Sequence, residues 1–408
     1  TTPRYSMSGH RVDVLIVGAG PVGGYLADKL ASSGLSVLLL EEHKEVGRPF
    51  QCAGLVNPDA MEKVGLESTI LTSVWGARIH SPKGTCVEVG EPGKIKTHVV
   101  CRKLFDEGVV SKALDKGSDI WLNSRPVSAE VSKDNIVVTV DRGGKTVEVE
   151  SSLLCGADGA HSWVRRHFKM GRPKELMIGF QAELVGYSGA EGRLDMFTGE
   201  EVAPGLFAWA IPSGRSWRIG VWSRANDLKG RSCEQLYETL LTHPIWKERF
   251  AGAKEVARYC GPLPCGIVAH PVKERVALFG DAVGLCKPTT GGGIGKAFQQ
   301  IDEMADGLIK AVRSNRLSLS DMKRIAKPLK AMKKDQKRAR ILRDLFLTDC
   351  DDEKLEQTFK TFATPQVVKL INENGDIEKP VALGIKMLKE VPEFRSMAAG
   401  ATWALLKG

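Results

Sequence analysis

The sequence predicts a mixed fold, α/β in one part and α+β elsewhere, with a Rossmann-like domain, an antiparallel-sheet domain and a helical C-terminal region. Three observations predict it. A glycine-rich turn follows a short apolar run near residue 18. Two later apolar runs end in a glycine beside an acid, at Asp158 and at Asp281. Beyond residue 310, apolar residues recur at helical spacing among many basic ones.

The first predicted element is a βαβ unit. Residues 12–17 and 37–40 are short runs of β-branched and other apolar residues, which are typical of buried parallel strands. Residues 25–33 between them have the apolar spacing of a helix. The turn after the first strand therefore opens a helix, where free backbone amides can bind an anion.

Gly18, Gly20 and Gly23 fit the three positions of a dinucleotide fingerprint in that turn. They allow a tight turn, close approach of backbone amides to a pyrophosphate, and close packing of the helix on the strand. Glu41 ends the second strand, where a carboxylate can accept hydrogen bonds from an adenosine ribose. The unit predicts an adenine dinucleotide and leaves open whether it is FAD or NAD.

Two further turns resemble the first in position. Asp158 lies in a Gly-Ala-Asp-Gly turn and Asp281 in a Gly-Asp-Ala turn, each after an apolar strand. Ligands of α/β sheets bind outside the carboxyl ends of the strands, so both acids are candidate cofactor residues. The alternative is that each acid caps a helix. If one cofactor contacts both Gly18 and the glycine run at 291–293, a flavin fits that span better than a nicotinamide.

The composition is that of a large globular enzyme. The chain has 408 residues, of which 42% are hydrophobic, enough for a core divided between two or three lobes. No apolar run reaches the about 18 residues that a membrane-spanning helix needs. The nine cysteines form no CxxC pair and no signal peptide is recognisable, which predicts reduced thiols in a cytoplasmic protein. No metal site is predicted.

Several motifs carry a family resemblance. The segments GAGPVG at 18–23, GADGAHSWVR at 156–165 and GDAVGLCKPTTGGGI at 280–294 resemble flavoproteins of the p-hydroxybenzoate hydroxylase fold. With GRPFQCAGL at 47–55 and RKLFD at 102–106, the chain is similar to the archaeal geranylgeranyl reductase family, which includes digeranylgeranylglycerophospholipid reductases. The resemblance implies FAD as cofactor. It also implies saturation of geranylgeranyl double bonds, on archaeal-type ether lipids or prenyl diphosphates, by a hydride from reduced flavin N5 and a proton.

The resemblance also implies roles around FAD. Glu41 would bind the adenosine ribose, Arg102 would lie near the pyrophosphate, and Asp281 would bind the ribityl chain or a phosphate. The glycines near 292 would lie beside the pyrimidine edge of the flavin, although a flexible turn is the alternative. For Arg102 the alternative is a salt bridge with Asp106. The predicted cofactor-binding residues are Gly18, Gly20, Pro21, Val22, Gly23, Glu41, Glu42, Cys52, Ala53, Arg102, Val127, Asp158, Asp281, Gly291, Gly292, Gly293 and Ile294.

Cys52 is the main catalytic candidate, because the resemblance implies that its loop reaches the face of the flavin. A prenyl double bond is electron-rich, so protonation at the less substituted carbon must accompany hydride transfer. Cys52, or a water that it orients, would take part in the proton step. The alternative is that Cys52 is a small buried apolar residue with no role in chemistry.

Residues 177–185 and 216–222 have the pattern of strands in a substrate domain. Phe207, Trp209 and Ile211 alternate along a third strand, so they share one face. The family commonly has tyrosine and phenylalanine where Phe207 and Ile211 stand. The three side chains are the predicted wall for an isoprenoid chain, and Trp209 is also a predicted catalytic contact. An ordinary sheet core is the alternative.

The segment 310–343 carries much of the positive charge, with Met322, Ile325, Leu329 and Met332 at helical spacing. A solvated helix face is the commoner explanation of such a run. Peripheral contact with an anionic membrane is the functional alternative, and nucleic-acid binding is disfavoured because aromatic residues are not interleaved. The named basic residues are Arg313, Arg316, Lys323, Arg324, Lys327, Lys330, Lys333, Lys334, Lys337, Arg338 and Arg340.

The predicted domains are a discontinuous FAD domain, a substrate domain and a helical region. Their ranges are 10–72, 98–174 and 268–320 for the first, 73–97 and 175–267 for the second, and 321–408 for the third. The electron donor is predicted to be NAD(P)H or a ferredoxin-like carrier. A hydroxylase of the same fold and a non-catalytic flavin- or lipid-binding protein are the alternative functions; a halogenase is disfavoured because the Trp-x-Trp-x-Ile segment is lacking.

Overall fold

The computed structural model of the chain describes residues 9–49, 52–376 and 379–399. The strands are β1 (His10–Val17), β2 (Val37–Leu40), β3 (Leu55–Val56), β4 (Ile70–Val74), β5 (Gly76–His80), β6 (Cys86–Gly90), β7 (Thr97–Val100), β8 (Asp119–Trp121), β9 (Ser124–Val131), β10 (Ile136–Arg142), β11 (Lys145–Gly156), β12 (Glu175–Val185), β13 (Arg193–Gly199), β14 (Ala203–Ser213), β15 (Ser216–Arg224), β16 (Lys254–Cys265), β17 (Val272–Lys273) and β18 (Val276–Leu278). The helices are α1 (Pro21–Ser32), α2 (Pro58–Val64), α3 (Arg102–Asp115), α4 (Trp163–His167), α5 (Cys233–Thr242), α6 (Lys247–Phe250), α7 (Ile294–Arg313), α8 (Leu319–Ile325), α9 (Pro328–Arg343), α10 (Asp352–Phe362), α11 (Pro365–Asn374), α12 (Pro380–Glu390) and α13 (Pro392–Met397).

The first sheet contains the predicted βαβ unit. Its central strands run in the order β18-β11-β1-β2-β8, and each neighbouring pair among them is parallel. The strands β9 and β10 extend β11 as an antiparallel meander. Val14, Leu15 and Ile16 are fully buried, as expected for parallel strands covered on both faces. The helix α1 contacts both α3 and α7, and these helices belong to one apolar core with the sheet.

The second sheet has seven strands in the order β16-β12-β15-β14-β13-β5-β6. Its neighbouring strands are antiparallel except for β13 and β5, which are parallel. The helix α5 covers one face of this sheet and shares an apolar core with it. A third, small antiparallel sheet has the strand order β3-β7-β4. Along the chain, its strands lie between β2 and β8 of the first sheet, on both sides of β5 and β6. The predicted mixed fold is confirmed.

The basic segment folds as the end of α7 followed by α8 and α9. Pro328 begins α9, a position where proline is favoured because the first amide of a helix needs no partner. Met322, Leu329 and Met332 are buried beneath the charge, as their spacing predicts. None of the described helices is long and apolar enough to span a bilayer. Residues 400–408 of the predicted helical region lie outside the described residues.

Arg340 departs from the predicted exposed basic face. Its Nε donates to Glu175 Oε2 at 2.9 Å, and its side chain is only 12% exposed. The acid belongs to β12, far away in sequence, so a run of charge alone could not reveal the pair. Arg340 therefore joins the second sheet to α9 and is not a surface charge.

A buried ion cluster lies on the helix-covered face of the second sheet, around Asp195. The carboxylate is fully buried and accepts hydrogen bonds from Arg78 at 2.7 and 2.8 Å, Tyr187 at 2.7 Å and Arg249 at 3.1 Å. His80 Nε2 lies 3.0 Å from Asp195 Oδ1. Burial raises the pKa of Asp195, but hydrogen bonds from His80, Arg78 and Tyr187 outweigh burial and lower it to about 2.

We expect Asp195→Asn to lower the free energy of unfolding by about 3–5 kcal/mol, because it leaves the partly buried guanidinium groups of Arg78 and Arg249 without their counter-charge. The folded-state pKa lies below the unfolded value near 3.9, so the stabilisation is present above about pH 4 and is lost as pH falls toward 2. Urea unfolding of both proteins at several pH values measures this. Asp306→Asn, at an exposed position, is the control; equal losses in the two variants would contradict the expectation.

Candidate active site

Three loops meet at the carboxyl ends of β1, β11 and β18. A Cβ at Gly18, where φ is +101°, would lie 2.3 Å from the carbonyl oxygen of Ala157. A Cβ at Gly280 would lie 3.0 Å from the side chain of Val22, on the first turn of α1. The loops that carry Asp158 and Asp281 therefore both contact the glycine fingerprint, as the predicted cofactor site requires.

The start of α1 has room for an anion. A Cβ on Gly20 would meet no atom of the described residues within 4 Å, and no described side chain caps the helix by a hydrogen bond. Pro21 begins α1 and is buried. By contrast, a Cβ on Gly23 would lie 1.8 Å from Gly18 O, so this glycine serves the packing of helix on strand. The loop fits a pyrophosphate bound by backbone amides and the helix dipole.

Glu41 lies directly after β2 and is only 9% exposed. Its Oε2 accepts a hydrogen bond from Ala19 N at 3.2 Å, which holds the carboxylate beside the glycine turn. Its Oε1 accepts from His43 N at 3.0 Å. Glu42 is an exposed side chain, and Val127 is 54% exposed on β9, which contacts β2. Contacts of these residues with a cofactor stay predictions.

The two acidic turns differ in structure. Asp158 accepts hydrogen bonds from Ser162 Oγ at 2.5 Å and Val164 N at 3.1 Å, so it contributes to the start of α4, as the capping alternative describes. Asp281 instead accepts from Cys286 Sγ at 3.1 Å. Burial raises the pKa of Asp281 against the opposing effects of Cys286, Arg102 and Arg165. Asp281 therefore lies close enough to Arg102 and Arg165 for both guanidinium groups to act on its carboxylate electrostatically.

The glycine run forms the start of α7. Gly291 has φ +73°, and a Cβ there would lie 2.9 Å from Leu263. A Cβ on Gly293 would lie 3.0 Å from Asp281 Oδ1. Gly293 precedes the helix without a side-chain cap from the described residues, and Ile294 begins it. The backbone is therefore packed on two sides, which argues against a merely flexible turn, and the first amides of a twenty-residue helix remain for an anionic group.

Arg102 begins α3 and is bound to Asp106, as one alternative proposed. Its Nε and Nη2 donate to the two carboxylate oxygens of Asp106 at 2.8 and 2.9 Å. Cys52 lies close enough to interact with Arg102 electrostatically. Burial lowers the pKa of Arg102, but Asp106 and Cys52 outweigh burial and raise it. The salt bridge thus holds a permanent cation beside the candidate catalytic sulfur.

The predicted wall residues share one face of β14, as their alternation predicts. Phe207 and Ile211 are buried, and Trp209 is partly buried between them. Trp209 extends over Gly220 of β15, where a Cβ would lie 2.2 Å from the indole ring. Its Nε1 donates to Gln181 Oε1 at 2.9 Å. The indole is therefore held flat against the sheet.

This aromatic face lies between the two loops that the resemblance places around the flavin. Ala53 packs against the apolar cluster that contains Ile211, as does Trp209, so the Cys52 loop lies near one end of the face. Cys286 belongs to the same buried cluster as Phe207, so the segment before the glycine run lies near the other end. The predicted catalytic, substrate and flavin residues are therefore brought to one place.

Some residues of the site escaped prediction. Arg218 is buried and donates to Ala53 O at 2.5 Å and to Val100 O at 3.2 Å, which holds the Cys52 loop. Tyr259 accepts a hydrogen bond from the Gln181 amide and lies within electrostatic range of Cys52. An arginine alternating with apolar residues on the predicted strand 216–222 was a usable signal for Arg218. Gln181 and Tyr259 had none, because their pairing spans 78 residues.

Comparisons with known proteins agree with this geometry. Residues 11–185 match a family model described as an FAD binding domain, so FAD is the cofactor of this domain. A digeranylgeranylglycerophospholipid reductase of Methanothermobacter thermautotrophicus is 32% identical over 307 residues, 69% of this chain and 73% of that protein. The chain belongs to this reductase family.

Solved structures show the same fold. A geranylgeranyl bacteriochlorophyll reductase-like protein of Thermoplasma acidophilum superposes with a TM-score of 0.85 at 21% identity, covering 96% of this chain and 99% of that one. A flavin-dependent brominase has a TM-score of 0.71 at 17% identity, covering 88% and 92%. At these identities the likeness concerns the fold alone. The predicted reductase family is confirmed by sequence, and the fold shared with a flavin-dependent brominase is confirmed by structure.

Proposed function

We propose that the protein is an FAD-dependent reductase that saturates the isoprenoid double bonds of geranylgeranyl chains, on archaeal-type ether lipids or on prenyl diphosphates. The observation that carries the proposal is the aromatic face enclosed between the Cys52 loop and the glycine run at the start of α7. An apolar wall next to a flavin site suits a hydrocarbon chain. The name of the reductase family supports the lipid form of the substrate.

When bound and reduced, FAD supplies the hydride. The side chains of this protein supply the rest of the reaction environment. Phe207, Trp209 and Ile211 exclude water and hold the chain, which strengthens every electrostatic interaction inside the site. Because Gln181 fixes the indole of Trp209, this wall is preorganised.

The proton comes from the Cys52 loop. Cys52 Sγ, or a water that it orients, delivers a proton to the less substituted alkene carbon, and the tertiary carbon then accepts the hydride. Loss of the proton leaves a negative sulfur, which the nearby Arg102 guanidinium stabilises by charge attraction. Arg218 keeps this loop in place by its bonds to Ala53 and Val100.

The decisive experiment is anaerobic. Holoprotein reduced with dithionite is incubated with a geranylgeranyl ether lipid, and the products are analysed by mass spectrometry. We expect a gain of two hydrogens for each reduced double bond. Dithionite replaces the physiological donor, which stays predicted as NAD(P)H or a ferredoxin-like carrier. Bound FAD without any mass gain would contradict the function. In a parallel aerobic incubation, oxygen uptake with a gain of one oxygen atom would favour the hydroxylase.

The exposed face of α9 is proposed to contact anionic lipid headgroups. Lys330, Lys333, Lys334 and Lys337 are all exposed and follow i, i+3, i+4, i+7 spacing. Each basic residue near an anionic surface contributes about 1 kcal/mol, screened by salt. The contact would bring the site to lipids whose chains lie in a membrane. The commoner explanation, a solvated helix face, predicts no vesicle binding.

Co-sedimentation with vesicles tests this contact. We expect binding to phosphatidylglycerol vesicles, weaker binding at high salt, and at least about tenfold weaker binding when the four α9 lysines become glutamine. The control neutralises an equal number of exposed lysines elsewhere: Lys116, Lys133, Lys145 and Lys254. Equal losses in both variants would show that only total charge matters and would contradict a specific face.

A further inference from the structure

Besides Arg340, the inner side of α9 carries two polar side chains in an otherwise apolar stripe. Leu329, Met332 and Ala339 are buried there, on the side of the helix that faces away from the exposed lysines. Gln336 and Arg343 are buried on the same side, at 8% and 4% exposure. Burial of a polar group destabilises the fold unless the group is hydrogen-bonded, so the partners of Gln336 and Arg343 indicate the role of these side chains.

Gln336 binds three backbone groups. Its Nε2 donates to Gly284 O at 2.9 Å and to Cys286 O at 3.1 Å. Its Oε1 accepts from Ile267 N at 3.0 Å. A primary amide offers two N–H donors and a carbonyl acceptor, which is the set that these three groups need. The carboxylate of glutamate has the same shape but no N–H donor.

Arg343 binds the next part of the same segment. Its Nη1 donates to Pro288 O at 3.3 Å. Glu175 of β12 fixes the guanidinium by contacts of 2.8 and 3.0 Å, in a bidentate geometry that lysine cannot reproduce. The side chain of Arg343 is 1% exposed. Three carbonyl groups between residues 284 and 288 are thus held from α9.

This segment shapes the glycine run. Lys287 N donates to Gly292 O at 2.9 Å, and Gly291 N donates to Lys287 O at 2.8 Å. Cys286, whose carbonyl binds Gln336, also contacts Asp281 through its sulfur. The position of residues 284–288 therefore determines where the backbone of the glycine run lies relative to Asp281.

We propose that Gln336 and Arg343 are positioning residues that set the geometry of the flavin-binding loop from the C-terminal helix α9. The inference rests on the assignment of residues 280–295 to the flavin. It makes α9 part of the cofactor site, although α9 contributes no residue to the fingerprint motifs. The exposed basic face of α9 and the side chains that hold residues 284–288 therefore belong to opposite sides of the same helix.

The test compares the holoproteins of wild type, Gln336→Glu, Gln336→Met and Arg343→Lys. Glutamate removes both donors and places negative charge against two carbonyls, whereas methionine keeps the volume without charge. We expect the Kd for FAD to rise at least about tenfold in Gln336→Glu, less in the other two, with a shifted flavin absorption band and midpoint potential in each. Gln357→Glu, exposed on α10, is the matched control and should retain wild-type values.

Wild-type Kd, spectrum and potential in Gln336→Met and Arg343→Lys would overturn the proposal, even if Gln336→Glu fails to fold. A shifted spectrum and potential in variants that unfold at the wild-type temperature would support it, because a purely structural role does not change the flavin. These measurements need no lipid. A protein that binds FAD normally and never reduces prenyl chains would contradict the proposed function alone.

Discussion

We expect Cys52→Ala to lower the anaerobic rate of prenyl reduction by about 100-fold or more while FAD remains bound, since general acid catalysis typically contributes about 10²–10⁴-fold. Alanine removes the sulfur that lies near Arg102 and that accepts a hydrogen bond from Gly54 N at 3.3 Å. The loop itself should persist, because Arg218 binds the carbonyl groups of Ala53 and Val100. The loss is therefore expected in kcat rather than in cofactor content.

The rate is measured with dithionite-reduced holoprotein, and bound FAD is quantified by absorbance. Cys86→Ala, at an exposed cysteine on β6, is the control and should retain the wild-type rate. Undiminished turnover in Cys52→Ala would remove the sulfur from the proton step.

Gly20→Val is expected to weaken FAD binding by about 100-fold or more without destabilising the apoprotein. The residue has φ −77° and ψ −171°, an extended conformation that valine readily adopts. Its Cβ would meet no atom of the described residues within 4 Å, so the added side chain fills only the space at the start of α1 that the pyrophosphate needs.

Apoprotein melting and FAD titration separate the two effects. The Tm of Gly20→Val should stay within about 2 °C of wild type. Gly23→Ala should lower the Tm strongly, because its Cβ would lie 1.8 Å from Gly18 O. Gly9→Val, another open position, is the control for a valine that affects neither quantity. Wild-type FAD affinity in Gly20→Val would show that the pyrophosphate does not bind at this loop.

Much of the cofactor site was predictable because its signals are local. The strands around Gly18 and Glu41 are short apolar runs, and the turns at Asp158 and Asp281 follow their own strands directly. The alternation of residues 207–211 was enough to place three wall side chains on one face. The sequence left open whether Asp158 and Asp281 cap helices or bind a cofactor, and the two acids differ in the structure. Asp158 binds the start of α4, whereas Asp281 contacts Cys286.

Other features depend on pairs far apart in the chain. Arg340 looked like one more charge in a basic run, yet Glu175 binds it across 165 residues. Gln336 carried no signal, because an isolated glutamine in a charged helix is ordinary until its partner carbonyl groups are known. The ion cluster at Asp195 likewise combines residues from two strands, a loop and α6.

The sequence by itself determined the family and the cofactor, because its motifs resemble those of known flavoproteins. It also determined the order of the FAD-binding elements, because turn chemistry and periodicity act between near neighbours along the chain. Only the tertiary structure decided that Cys52 lies beside Arg102, that the aromatic face lies between two loops, and that α9 holds the glycine segment through Gln336. Hydrogen bonds and apolar contacts between distant residues leave no periodicity in sequence, so they become visible only when the chain is folded.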